Sequence, residues 1–167
     1  MNGELALRDF FIQPGFVCVP AASTRLCAVV SSGVAITLYD KKLQTGGMSH
    51  YVFPYRRGAE STATYAAPAI VSLVDLLIGR GSKKEDLEAQ LFGGAMNQES
   101  DRFVEELAEE NVNVGLEILD KLGIPVASTD IGGTRGRKLI FYPESGEVVV
   151  AKVDRIRESD WYPLLIV

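Results

Sequence analysis

His50 is the only histidine in this chain, and Cys18 and Cys27 are its only cysteines. These are the side chains best suited to covalent chemistry near neutral pH. His50 follows Gly46-Gly47-Met48-Ser49 at the start of an apolar run, where an imidazole can act as a general base. A base needs a nucleophile within reach. Cys27, Cys18, Ser49, Ser31 and Ser32 supply the candidates in the same half of the chain. Against this, a lone histidine beside a strand and cysteines inside apolar strands are ordinarily core residues. Gly-Gly pairs at 46–47, 93–94 and 132–133 mark tight turns or close backbone approach. GGTRG at 132–136 lacks the Lys-Ser/Thr that follows in a phosphate loop, and Arg135, Arg137 and Lys138 read as a solvated basic turn. Two cysteines and one histidine cannot complete a four-ligand zinc site or a disulfide framework, so neither metal nor cofactor is expected.

The elements that must position these residues belong to one domain, given 167 residues of which 47% are apolar and 23% charged. A net charge of −5 argues against nucleic acid or an anionic membrane as the main partner. The opening MNGELALRDF does not read as a signal peptide, and the longest apolar segment, 66–78, is interrupted and too short to span a bilayer. The expectation is a cytoplasmic protein without membrane insertion. Apolar and β-branched runs predict strands at 16–19, 25–30, 34–39, 48–53, 87–92, 124–128, 137–142 and 147–153. A helix is predicted over 66–79, with Ser61 or Thr62 as N-cap, a stripe of Ile70, Val71, Val74, Leu77 and Ile78, and Gly79 as its stop. A second is predicted over 100–122, with Phe103, Leu107, Val114, Ile118 and Leu122 on one face and Glu105, Glu106, Glu109 and Glu110 solvated on the other. Adjacent strand pairs exclude a purely alternating βα fold, so the class is α+β.

The stretch SSGVAITLYDKKLQTGGMSHYVFP at 31–54 resembles the signature of the CheD family, the chemoreceptor glutamine deamidases. That signature runs approximately T-x-L-x-G-S-C-V-A-V-C-L-Y-D, then G-G-M-x-H-x-x-L-P. FGGAMN at 92–97, Asn111-Val112, Gly123-Ile124, DIGGTRGRK at 130–138 and SGEVVVAK at 145–152 extend the resemblance, in order, over residues 14–153. It implies a mixed β-sandwich flanked by helices, a CheD-like cysteine-hydrolase fold over 1–153. Residues 154–167, with Arg155, Arg157, Trp161-Tyr162-Pro163 and an apolar end, are expected to pack on it as an extension.

The chemistry the resemblance implies is hydrolysis of a receptor glutamine amide. A cysteine thiolate attacks, a histidine takes and returns the proton, a threonine assists and backbone N–H groups hold the oxyanion. The implied partners are chemoreceptor cytoplasmic helices and a CheC-type phosphatase. The family histidine falls on His50, but the family cysteine, seventeen residues earlier, falls on Gly33. Ser32 before it is kept, and with Gly33 is assigned to substrate binding; the threonine six residues upstream is replaced by Cys27. The family's Ile-Gly-x-Arg is Leu107-Ala108-Glu109-Glu110, which reverses the charge. Two expectations follow. Either the nucleophile is erased and a recognition surface remains, a pseudoenzyme, or the thiol has moved to Cys27 and works with His50. Erasure is favoured, because a moved thiol must still meet the oxyanion donors, and about 1 Å of misplacement can cost on the order of 100-fold.

Overall fold

The structure is a computed structural model and describes residues 6–58, 61–96 and 102–154, the backbone alone for 102–105. Its strands are β1 (Arg8–Phe11), β2 (Val17–Cys18), β3 (Thr24–Val30), β4 (Val34–Asp40), β5 (Thr45–Tyr51), β6 (Leu87–Gly93), β7 (Val126–Ile131), β8 (Gly136–Phe141) and β9 (Val148–Val153). The helices are α1 (Ala66–Gly79) and α2 (Arg102–Leu122).

Two sheets form, one ordered β1-β3-β8-β9 and the other β2-β5-β4-β6-β7. The β1/β3 and β6/β7 pairs are parallel and the rest antiparallel, which is the mixed α+β sandwich expected. Alternation along each strand divides the side chains between faces. Leu26, Ala28 and Val30 of β3 meet Ala35, Met48 and Phe92 of the other sheet in a core between the sheets. The opposite face of β4, through Val34, Ile36 and Leu38, packs on α1 and α2. The result is three layers: sheet, sheet, helices.

The chain passes from β3 in one sheet to β4 in the other through Ser31-Ser32-Gly33. The two runs are therefore not one extended strand, and residues 31–33 form the corner between the sheets.

Both helices fall where their patterns place them, but with rotated faces. On α1 the buried residues are Ala66, Ala69, Ile70, Leu73, Val74 and Leu77, while Val71 and Ile78 are exposed. The N-cap is Tyr65, with no side-chain cap; the Ala66 N–H instead donates to the Phe53 carbonyl at 3.0 Å. On α2 the buried face centres on Ala108, Asn111, Gly115 and Leu119. Small residues are required there because a Cβ on Gly115 would collide with the Tyr51 hydroxyl. Phe103 and Glu105 lie outside the residues whose side chains are described. No helix among the described residues is long and apolar enough to cross a membrane.

Candidate active site

β5 pairs with β4 in the register Ala35↔His50, and Met48, two residues before His50, faces the core between the sheets. The same parity turns His50 into that core, where it is 1% exposed. Its Nδ1 lies 3.1 Å from the carbonyl oxygen of Ile12, just beyond β1. A carbonyl only accepts, so Nδ1 carries the proton and Nε2 keeps a lone pair. Burial lowers the pKa of His50 to about 4, against the smaller opposing effect of the Ile12 bond. The imidazole is thus neutral at pH 7: oriented as a base, and a weak one.

Nε2 faces residue 33. A Cβ built on Gly33 would stand 3.3 Å from that nitrogen, 2.7 Å from the Tyr51 carbonyl oxygen and 3.0 Å from a Val52 methyl. The first distance brings position 33 and His50 together, as the resemblance implies for a Cys–His pair. The second is closer than real Cβ atoms come to a backbone oxygen and the third is tight, so this backbone fits a residue with no side chain.

Hydrogen bonds hold this corner from three sides. The Gly33 carbonyl accepts from Gly94 N–H at 2.9 Å, and the Ser31 carbonyl accepts from Ala95 N–H at 2.8 Å. Gly93 and Gly94 have φ of 122° and 66°, and a Cβ on Gly93 would strike the Gly33 carbonyl, so glycine is required at this approach. Gly132 N–H continues the lattice to the Gly93 carbonyl at 2.9 Å. Arg137, expected in a solvated turn, is 2% exposed instead. It donates to the carbonyls of Gly132 (2.8 Å) and Arg135 (2.9 Å) and to Asp130 (3.1 Å), fixing the 132–136 loop from inside. Burial pushes Asp130 up, but the bonds from Arg137 and Lys152 outweigh it and hold the carboxyl below its usual range.

The third side is Asn111, fully buried on α2. Its Nδ2 donates to the carbonyls of Ser32 and Val52, both at 3.0 Å, joining the residue before Gly33 to the strand end after His50. Its own backbone carbonyl accepts the Tyr51 hydroxyl at 2.6 Å. Beside this clamp a groove of about 240 Å³ is lined by Phe53, Pro54, Tyr55, Arg57, Glu106, Leu107 and Glu110.

The thiols stand elsewhere. Cys27 has the parity opposite to Leu26, Ala28 and Val30, on the outer side of its sheet with Arg25 and Asp9. Its backbone carbonyl accepts from Ile12 N–H at 2.7 Å, so main chain, not sulfur, links it to the His50 support. Burial raises its pKa, Asp9 adds to this and Arg25 opposes it, which disfavours the thiolate. Cys18 pairs with Met48 at the edge of the five-stranded sheet. Ser49 is buried on the helix side of β5, away from His50. Ser32 meets the site through its carbonyl. The Ile12 carbonyl, Asn111 and Arg137 were not foreseen in these roles; Asn111 and Arg137 each lay in a matching motif, whereas the Ile12 carbonyl had no signal.

The family described as CheD chemotactic sensory transduction matches residues 53–152, a segment that begins after Gly33 and His50. A protein of Anaeromyxobacter dehalogenans named "Probable chemoreceptor glutamine deamidase CheD 1" is 35% identical over 143 residues, covering 86% of this chain and 84% of that one. An alignment of that length must reach upstream of position 53. Proteins named "Probable chemoreceptor glutamine deamidase CheD" from Trichlorobacter lovleyi and Sulfurimonas denitrificans are 31% and 34% identical, each covering 87% of this chain and 91% and 94% of their own. With its mixed sandwich, glycine-stitched loops and buried histidine, the chain belongs to the CheD family of chemotaxis proteins.

Proposed function

We propose that this chain is a non-catalytic CheD-family protein that binds glutamine-bearing helices of a chemoreceptor without converting them. One observation carries this reading: the atom position facing His50 Nε2 belongs to Gly33, which has no side chain to ionise. Cys27 does not replace it, because its side chain occupies the other side of its sheet and burial keeps the thiol protonated. What is retained is the frame: the Asn111 clamp, the Gly93–Gly94 approach and the Arg137-held loop.

The recognition surface we infer includes the groove beside that frame. Tyr55 is 61% exposed there, and Glu110 stands where the family pattern carries arginine. A partner helix with a basic residue near the bound glutamine fits its aromatic and carboxylate walls. A CheC-type phosphatase is a second partner, read from the family resemblance alone.

The test is to incubate a glutamine-bearing receptor cytoplasmic fragment with the protein, recover the complex and measure the fragment's mass. Co-purification with the glutamine unchanged supports the reading. Conversion to glutamate, lost in His50→Ala, overturns it; failure to co-purify removes the receptor as partner.

A further inference from the structure

The end of the sandwich opposite Gly33 holds a second cavity. β3 begins there at Thr24 and β5 at Thr45, β8 ends just before Pro143, and α1 ends just before Arg80. The 7 residues of β3 separate this end from the corner at 31–33, about 20 Å along the strand. Residues from both sheets and from the end of α1 line one space of about 410 Å³, within the size range of small-molecule sites.

The described lining carries one charge of each sign, Arg80 and Glu144. Arg80 Nη1 donates to the Pro20 carbonyl at 3.0 Å, and Glu144 Oε1 accepts from Ser23 N–H at 3.0 Å, so the two hold the intervening loop from its two ends. Each keeps capacity beyond that bond, since a guanidinium has further N–H donors and a carboxylate a second oxygen. Neither forms an ion pair with the other or with any described residue. Opposite charges fixed on one cavity without meeting are complementary to a molecule that carries both. The backbone points the same way. Ser23 and Gln44 are the non-glycine residues with positive φ among the described residues, at 62° and 50°. Gln44 lines the cavity, and Ser23 lies between Ala22 and Thr24, which do. Strain of this kind costs stability and persists where the surrounding structure imposes it, often at ligand sites. We propose that this cavity binds a free amino acid, its carboxylate on Arg80, its ammonium on Glu144 and its side chain against Leu43 and Pro143. The inference rests neither on the receptor reading nor on the state of Gly33.

The experiment uses the full chain, including residues 155–167, which were expected to pack on the domain and lie outside the described residues. Its thermal unfolding midpoint is measured with each common L-amino acid in turn at about 10 mM; one that binds with a dissociation constant near 1 mM should raise the midpoint by about 3–6 °C. Arg80→Gln and Glu144→Gln change exposed side chains, and the second keeps an oxygen for Ser23 N–H. Their unliganded midpoints should therefore stay within about 2 °C of the parent's. Each should weaken binding of that amino acid about tenfold or more by isothermal titration. The N-acetylated amino acid, which lacks the ammonium, should bind the parent about tenfold more weakly than the free form, whereas Glu144→Gln should bind the two alike. No shift with any amino acid overturns the proposal. So does a shift that both variants retain, which puts binding elsewhere. Equal binding of the free and acetylated forms by the parent overturns it as well, because the cavity would then read a side chain or a peptide and not a zwitterion.

Discussion

His50 Nε2 stands 3.3 Å from the place where the first side-chain atom of residue 33 would be, and residue 33 is glycine. The imidazole is held for proton transfer by Ile12, yet the group that would give up a proton is missing. The Tyr51 carbonyl oxygen and a Val52 methyl crowd that position, so a side chain at residue 33 would require the backbone to shift.

Gly33→Cys therefore does not simply restore a site. Its Cβ would meet the Tyr51 carbonyl oxygen at 2.7 Å, and a backbone atom cannot step aside cheaply. Urea unfolding should show a loss of about 1–3 kcal/mol, shared by Gly33→Ala, which has the same first atom. The cysteine variant alone should gain a thiol that alkylates below ordinary thiol pH, as a Cys–His pair does. Adding Cys27→Thr should raise any recovered deamidation above that of the single variant.

Stability should depend on pH through His50. In the folded chain its pKa is about 4, against 6.5 for the unperturbed group. Between those values the unfolded chain binds a proton that the folded chain refuses, so stability rises with pH across the window. It is complete above about 6.5 and falls by on the order of 3 kcal/mol as pH drops toward 4. Asp130, held below the usual carboxylate range, gives up its contribution only at lower pH. His50→Asn keeps a donor for the Ile12 carbonyl but does not titrate, so its stability–pH curve should be flatter between pH 4 and 6.5.

Asn111→Ala strips the donor from two carbonyls, those of Ser32 and Val52. Leaving both without it should cost roughly 2–4 kcal/mol in denaturant unfolding. Asn111→Asp should be worse at pH 7, since a carboxylate would face two carbonyl oxygens with nothing to donate.

Glu110→Arg returns the charge found in the family pattern to the rim of the groove. The position is exposed, so stability should change by less than about 0.5 kcal/mol. Affinity for a receptor fragment with basic residues near its glutamine should fall, and fall less at high salt, as isothermal titration at two ionic strengths would show.

Much of the fold was legible because its periodicities are local. The apolar spacing of 66–79 and 100–122 marks both helices, found at Ala66–Gly79 and Arg102–Leu122, and the β-branched runs mark β3, β4 and β9. β1 was not legible: Arg8-Asp9-Phe10-Phe11 has no alternation, and its pairing is a non-local parallel one with β3. The strand expected at 124–128 lies at Val126–Ile131, since Ile124 is drawn into the helix-side core instead. In the site, Gly33 and His50 could be paired through a family pattern. The Ile12 carbonyl could not, because a backbone oxygen has no residue type to betray it. Arg137 read as surface because a buried guanidinium is satisfied by carbonyls that only the folded loop brings to it.

The most direct measurement is ammonia release from a glutamine-bearing receptor fragment, with the protein in molar excess so that even one turnover registers. The account predicts none above the His50→Ala background, because loss of an essential nucleophile costs about a millionfold in the best-studied hydrolases. Release by the unmodified chain that disappears in both Cys27→Ser and His50→Ala would contradict it, and would make Cys27 the nucleophile.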